Sequence, residues 1–281
     1  MSMRESIQHM KDLREQVHRG GGEERIEKQH EKGKRSARER LDDLFDPHSF
    51  VEHQSYIRGR STAFGLEGKR QPGDGVITGS GLVDGRQVFV SSQDFTVLGG
   101  SLGEQHAARI AEAQKLSIAT GTPFVQINDS GGARIQEGVL SLDGYAKIFR
   151  ANTDASGVVP QISAILGPCA GGAVYSPGIT DFIFMVDNVS NMYITGPDVI
   201  RAVTGEEISH EELGGAAAHA SRSGVAHFRY ATESACMDGI RRLLSMLPAN
   251  NTEQPPRIPP DAPEWDEPDR VVPEVLNIVP E

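Results

Sequence analysis

Near residue 75 the spacing of apolar and polar positions changes character. Before it, residues 1–45 are dense in alternating charges, and HRGGGEERIEKQHEKGKRSARERLDDLF breaks at Gly20–Gly22. That pattern predicts two charged helices around a glycine hinge, and mixed charge of this kind marks a solvent-facing arm. From Gly75 onward, GVITGSGLVDGRQVFVSSQDF alternates apolar with small residues around Asp84 and Gly85. Period-two alternation about a short Asp-Gly turn predicts a β-hairpin.

A longer pattern then repeats. FTVLGGSLGEQHAARIAEAQKLSIATG predicts a strand, a glycine turn and an amphipathic helix with apolar positions three and four apart. TPFVQINDSGGARIQEG starts the pattern again and runs into the helical SLDGYAKIFRANTDAS, and PQISAILGPCAGGAVYSPGITDFIFMVD starts it a third time. The glycine turns near 99, 131 and 171 recur at roughly 30–40 residues, which predicts stacked strand-turn-helix units around a shared α/β core. Residues 251–281 break the pattern, with eight of the sixteen prolines, eight acids and two arginines. Proline fixes φ and removes a donor, so this segment reads as a Pro-rich acidic tail or linker. The expected divisions are an arm at 1–45, a body at 46–250 and the tail at 251–281.

Composition narrows the function classes. A net charge of −11 opposes nucleic-acid binding, which rewards a basic surface. No apolar run approaches the ~18 residues of a membrane span, and MSMRESIQHMKDLREQ lacks the apolar core of a signal peptide. Two cysteines, Cys169 and Cys236, form neither a disulfide framework nor a CxxC metal spacing. A cytoplasmic protein without a metal centre is the expectation.

The chemistry concentrates in the glycine turns. A helix N-terminus carries unpaired N–H groups and the positive end of the helix dipole, and glycine lets that backbone approach a ligand closely. Such a turn holds a phosphate, or an oxyanion that develops during reaction. GPCAGGA, residues 167–173, is the strongest case, with close strand–helix packing as the alternative use. DSGG, residues 129–132, spells the surroundings of a protease nucleophile, but the alternating strand-helix context and the missing partners make Ser130 a turn or cap residue. Asp129 reads as a cap in preference to a base, and Cys169, among apolar and small neighbours, as packing in preference to a nucleophile. TGEEISHEE, residues 204–212, reads as a polar helix start. Lys34, Arg35 and Arg38 offer a weak phosphate signal. Oxyanion-ready turns without a nucleophile or a metal set suggest enolate chemistry on a thioester.

Six blocks carry a family likeness: GKRSARERLDDLFDPHSFVE, GDGVITGSGLVDGRQVFVSSQDFTVLGGSLGE, QINDSGGARIQEGV, GPCAGGAVYSPGITDFIFMV, MYITGPDVIRAVTGEEISHEELGG and SGVAHF. In order and over nearly the whole chain, they resemble the carboxyltransferase subunits of biotin-dependent acyl-CoA carboxylases, the propionyl-CoA carboxylase β-subunit in particular. They are also similar to the corresponding subunits of sodium-pumping acyl-CoA decarboxylases. The resemblance implies a crotonase-like (ClpP/crotonase) superhelix of repeated ββα units. It implies transfer of a carboxyl group from carboxybiotin, held on a separate carrier protein, to the α-carbon of an acyl-CoA. Carried over by position, the backbone N–H groups of Gly171 and Gly172 form an oxyanion hole. Gly131, Gly132, Ala133 and Arg134 form another wall of the acyl-CoA pocket. The implied partners are a biotin carboxylase or biotin-carrier subunit and further copies of the chain. The family carries two such domains in tandem, so a second carboxyltransferase domain or partner chain is expected beyond the single one present. Two alternatives compete: a lone CoA-ester hydratase or decarboxylase, and a catalytically inert CoA-binding module.

Overall fold

The computed structural model describes residues 2–256 and Pro273; the tail beyond, with Trp265, lies outside the described residues. Three helices open the chain: α1 (Met3–Arg19), α2 (Glu23–His30) and α3 (Ala37–Leu44). Capping boxes start the first and third, in which Ser2 and Ser36 accept from the N–H groups of Glu5 and Glu39 and both carboxylates reach back. The hinge between α1 and α2 is glycine for a steric reason. Gly20 and Gly22 have φ of 51° and 97°, and a Cβ on Gly21 would overlap the Thr96 carbonyl.

This segment departs from a solvated two-helix arm. A third helix is present, and its Ala37, Arg40, Leu41 and Leu44 share one buried face at helical spacing. Its neighbouring charges are paired internally. Lys34 Nζ lies 2.7 Å from Asp129, Arg38 lies 3.0 Å from Glu52, and Arg35 binds Asp43. The mixed charge therefore cements the arm to the body, and the three cations are already neutralised.

The body is one mixed sheet. Strands β1 (Val51–His53), β2 (Val76–Val83) and β3 (Arg86–Gln93) run antiparallel. Helix α4 (Glu104–Thr120) leads to β4 (Phe124–Ser130), and α5 (Val139–Ala155) leads to β5 (Gln161–Ala170). A single turn, α6 (Tyr175–Gly178), then precedes β6 (Phe182–Val186) and β7 (Asn191–Tyr193). Three short helices follow, α7 (Pro197–Thr204), α8 (His210–Gly214) and α9 (Ala216–Ala218), then β8 (Phe228–Tyr230) and α10 (Glu233–Met246). The strand order is β1-β2-β3-β4-β5-β6-β8, parallel from β3 onward, with β7 pairing the end of β5. The Asp84–Gly85 turn of the β2–β3 hairpin has both residues at positive φ, as the two-residue hairpin geometry demands.

Alternation along the strands feeds two cores. Val88, Val90, Val125, Ile127, Ile162 and Leu166 face α3 and α10, whereas Phe89, Phe124 and Ile165 face α4 and α5. A minor ladder closes one end: Ser130 pairs with Cys169, Pro168–Ala170 pairs with β7, and single bridges join Leu102 to Ala133 and Asn191 to Gly215. Each unit thus contributes a long strand, a short pairing residue and a helix.

Two repeats differ from the sequence pattern. FTVLGG is not a strand: Leu98, Gly99 and Gly100 all have positive φ, and β3 is the strand of that unit. After GPCAGGA the helix is a single turn, because Pro177 and Gly178 stop it. TGEEISHEE behaves as a polar helix start, with Ser209 and Glu212 forming a capping box.

Arg40 ties the layers together. Its guanidinium is fully enclosed, with Nη1 2.9 Å from Asp129 of β4, Nε 2.8 Å from Glu233 of α10, and Nη2 donating to the Leu166 carbonyl of β5 at 2.6 Å. Burial opposes its charge, but Asp129 and Glu233 outweigh it and raise its pKa. Removing one member of a buried ionic set costs about 3–5 kcal/mol, because the remaining charges stay buried unpaired. Arg40→Met should therefore destabilise the chain by about that amount in urea titration. A loss below about 1 kcal/mol would contradict a structural role for the cluster.

Candidate functional site

Three glycine-bearing turns meet at the ends of β3, β4 and β5. Gly131 N–H donates to the Gly99 carbonyl at 3.0 Å, and Gly132 N–H donates to Ser130 Oγ at 3.1 Å. Leu102 N–H donates to the Gly132 carbonyl, and Arg134 N–H returns to the Leu102 carbonyl, both at 2.9 Å. A Cβ on Gly100 would overlap the Asp129 carbonyl, and one on Gly132, at φ 100°, would press on the Ala170 carbonyl at 3.1 Å. The second turn is therefore wedged between the other two, with its own N–H groups already engaged.

The third turn is built differently. Gly171, at φ 59°, and Gly172 open the 3₁₀ turn Gly171–Val174, where leading N–H groups find no carbonyl within the turn. A Cβ on Gly171 would meet nothing within 4 Å, so its outer side is open. A Cβ on Gly172 would stand 2.9 Å from a ring carbon of Tyr145. The backbone here is exposed on one side and braced on the other.

The side chains around these turns serve mainly structure. Ser130 is fully buried and accepts from Gly132, the behaviour of a turn residue. Cys169 is buried, its Sγ donates to the Ala173 carbonyl at 3.2 Å, and burial reinforced by Asp129 pushes its thiol up to about 12. Asp129 neither caps a turn nor faces the site, because Lys34 and Arg40 hold its two oxygens. Ala133 forms the bridge to Leu102. Arg134, placed in the pocket wall by position in the sequence, turns inward. Its Nη1 binds Asp74 at 2.7 Å and Glu137 at 2.9 Å, and its Nη2 donates to the Ser101 carbonyl at 2.8 Å. Beside it, His106 is wholly enclosed, and burial, aided by Arg134, holds its pKa well below the usual imidazole value. That imidazole is a neutral partner of Asp74 and Gln93. Among the described residues no three His, Cys, Asp or Glu side chains group to hold a metal.

A second feature has no counterpart in the sequence reading. A cavity of about 560 Å³ lies between α2 and the 95–99 loop, lined by Arg25, Lys28, Gln29, Lys32, Lys69 and Phe95. Arg25, Lys28 and Lys32 are three and four residues apart and so fall on one face of the helical segment, which was the legible signal. Arg25 also donates to the Thr96 carbonyl at 2.9 Å, and Lys28 pairs with Glu24 at 2.6 Å. Gln29 Oε1 is buried in the cavity wall without a hydrogen-bond partner. Gly99, at the cavity edge, accepts from the Gly131 N–H, and Gly132 abuts Ala170, so backbone contacts link the cavity edge to the strand end that precedes Gly171.

Glycine turns at the strand ends of a largely parallel sheet, beside a basic cavity, make up the candidate site. The chain belongs to the carboxyl transferase domain family, whose pattern matches residues 28–281. It is 56% identical over 281 residues to the propionyl-CoA carboxylase carboxyltransferase subunit of Haloferax mediterranei, covering all of this chain and 54% of that protein. It is 58% identical over 257 residues to the methylmalonyl-CoA decarboxylase subunit alpha of Veillonella parvula, covering 92% of this chain and 50% of that one. The structure of transcarboxylase 12S, a hexamer described with methylmalonyl-CoA and methylmalonic acid bound, superposes with a TM-score of 0.91 at 48% identity. That match covers 100% of this chain and 54% of the other. The fold is that of the carboxyltransferase and crotonase-like superfamily. The chain spans about half the length of the curated relatives it matches.

Burial raises the pKa of both thiols, with Asp129 adding to the effect at Cys169 and Glu233 at Cys236. A thiol whose folded pKa lies above its unfolded value favours the folded state fully below the unfolded pKa of about 8.5. That contribution is lost as pH rises towards 12. Native protein at pH 8 should show no thiol reacting with a disulfide reagent over minutes, and two after unfolding in guanidinium. Rapid native labelling of Cys169 would contradict its enclosure.

Proposed function

We propose that this chain is the acyl-CoA-binding half of a carboxyltransferase. The reaction moves a carboxyl group between biotin on a separate carrier and the α-carbon of an acyl-CoA. The observation that carries this reading is the Gly171–Gly172 turn, whose Gly171 is open outward, on the same set of packed glycine turns as the edge of a basic cavity. The cavity fits the nucleotide end of coenzyme A. Arg25, Lys28, Lys32 and Lys69 suit its phosphates, and Phe95 offers a face for a base.

From that anchor the thioester reaches along the 95–99 loop to the third turn. Loss of the α-proton leaves an enolate whose charge gathers on the thioester oxygen, and the Gly171 and Gly172 N–H groups stabilise it there. Carboxybiotin on its carrier, when bound, would supply the carboxyl group for the new C–C bond, and the ureido nitrogen freed of that group would accept the α-proton. Gly131, Gly132 and Ala133 form the neighbouring wall, and Arg134 supports that wall from behind through Asp74 and Glu137.

The same donors stabilise the same enolate when the C–C bond breaks, so service in a decarboxylase is the second reading. The 58% identity to a methylmalonyl-CoA decarboxylase subunit favours it specifically. Relatives of about twice the length support completion of the site by a second carboxyltransferase unit, and the hexameric transcarboxylase supports assembly with further copies.

Calorimetry with propionyl-CoA should show binding that weakens with salt, and Lys28→Glu/Lys32→Glu should weaken it at least about tenfold. Unchanged affinity in that variant would remove the basic cavity from the site. In the complete enzyme, Gly172→Pro deletes one donor and should lower kcat by about 10²–10³. Circular dichroism must first show an intact fold, because proline also disturbs backbone geometry. Ser130→Ala keeps every backbone donor and should retain most turnover. Abolished activity in a folded Ser130→Ala enzyme would make Ser130 a nucleophile and overturn the enolate reading.

A further inference from the structure

An aromatic ring packs against Gly172 of the third turn. Tyr145, from the second turn of α5, is 4% exposed. An ideal Cβ on Gly172 would meet three of its ring carbons at 2.9, 3.0 and 3.3 Å. Only a residue without a side chain lets backbone and ring meet this closely. The ring is itself held in a stack, with Tyr145 and Phe149 centroids 5.9 Å apart and Phe149 meeting Tyr175 edge-on at 6.1 Å. Tyr175 directly follows the turn, so the stack returns to the segment that it supports.

The hydroxyl of Tyr145 is also unusual. It is buried without a well-formed hydrogen bond, although it lies beside Ser130. The adjoining void, between Gln126, Asn128, Ala173 and Ser176, has a volume of about 10 Å³, near the lower limit for one water. Burial raises the phenol's pKa and keeps it protonated. Packing, and not hydrogen bonding, accounts for the placement of this ring between the Ser130 turn and the Gly172 turn.

We infer that Tyr145 is a positioning residue for the reaction: its ring, pressed on Gly172, sets the direction of the third turn's N–H groups. The inference rests on the proposed oxyanion role of Gly171 and Gly172. An N–H group aims at developing charge only while the peptide plane is held, and a misplacement near 1 Å can cost about 10²-fold in rate. The ring resists rotation of that plane on one side, and the open side is left for substrate.

The test is steady-state kinetics of the complete enzyme carrying Tyr145→Phe, Tyr145→Leu or Gly172→Ala, with melting temperature measured alongside. Tyr145→Phe keeps the ring and should hold kcat within about threefold of the parent. Tyr145→Leu should lower kcat by about 10–100-fold with the acyl-CoA KM within about threefold, because ground-state binding through the basic cavity is untouched. Gly172→Ala keeps the donor but pushes on the ring from the other side, and it should lower kcat with the same KM pattern. It serves as the deciding variant if Tyr145→Leu does not fold. A parental kcat in either folded variant, or a loss confined to KM, would overturn the inference. A loss in Tyr145→Phe equal to that in Tyr145→Leu would move the role to the hydroxyl and overturn it as well. Gly172→Pro separates this outcome from the underlying reading. If that variant loses kcat while Tyr145→Leu does not, only the positioning role fails; if it keeps kcat, the oxyanion role itself fails.

Discussion

A charged guanidinium with no access to water is tolerated only where acceptors surround it, and around Arg40 they come from three separate elements. Asp129 is the penultimate residue of β4, Glu233 starts α10, and the Leu166 carbonyl lies in β5. Sliding α3 by one residue would leave these groups buried and unpaired, so the cluster locks the N-terminal segment in one register against the sheet. Lys34 adds a second cation to Asp129 and lies over the ring of Phe95, with Nζ 4.6 Å from the centroid. The same cluster thus reaches from the core to the wall of the basic cavity.

The functional surface depends on that lock at short range. Asp129 directly precedes the Ser130–Gly132 turn, and Leu166 lies five residues before Gly171. A Cβ on Gly167 would overlap Asp129, so the two strand ends approach side by side at the cluster. Beyond it the chain has little freedom: Gly100 fits under Asp129, Gly132 against Ala170, and Gly172 against Tyr145. Each contact needs a missing side chain. The turns are held by backbone packing against backbone or ring, which suits donors that must not move as charge develops.

Much of this was legible before the structure. Period-two alternation placed the β2–β3 hairpin, and the strand-glycine-helix pattern located β4 with α5 and the start of β5. The glycines of DSGG and CAGGA mark turns that pack closely at the strand ends, because close approach leaves glycine as its trace. The differences have physical causes. Mixed charge in residues 1–45 reads as solvent exposure, whereas Arg40 sits on the stripe of Ala37, Leu41 and Leu44, where a charge signals a buried pair. Arg134 and Asp129 both flank the glycines in sequence, but alternating directions along an extended chain send neighbours to different environments. Tyr145 and Glu233 were invisible since their partners are remote in sequence, and no local period records a contact between Tyr145 and Gly172.

The central claim is that the third glycine turn holds the thioester oxygen of an acyl-CoA whose nucleotide end lies in the basic cavity. A crystal structure with a propionyl-CoA analogue, its sulfur replaced by methylene and its carbonyl kept, tests this most directly. The account predicts the carbonyl oxygen about 2.7–3.1 Å from a backbone nitrogen of Gly171 or Gly172. It also predicts phosphates against Arg25, Lys28 or Lys32. A carbonyl beyond hydrogen-bond reach of both glycines, more than about 3.5 Å away, with the nucleotide outside that cavity, would contradict it.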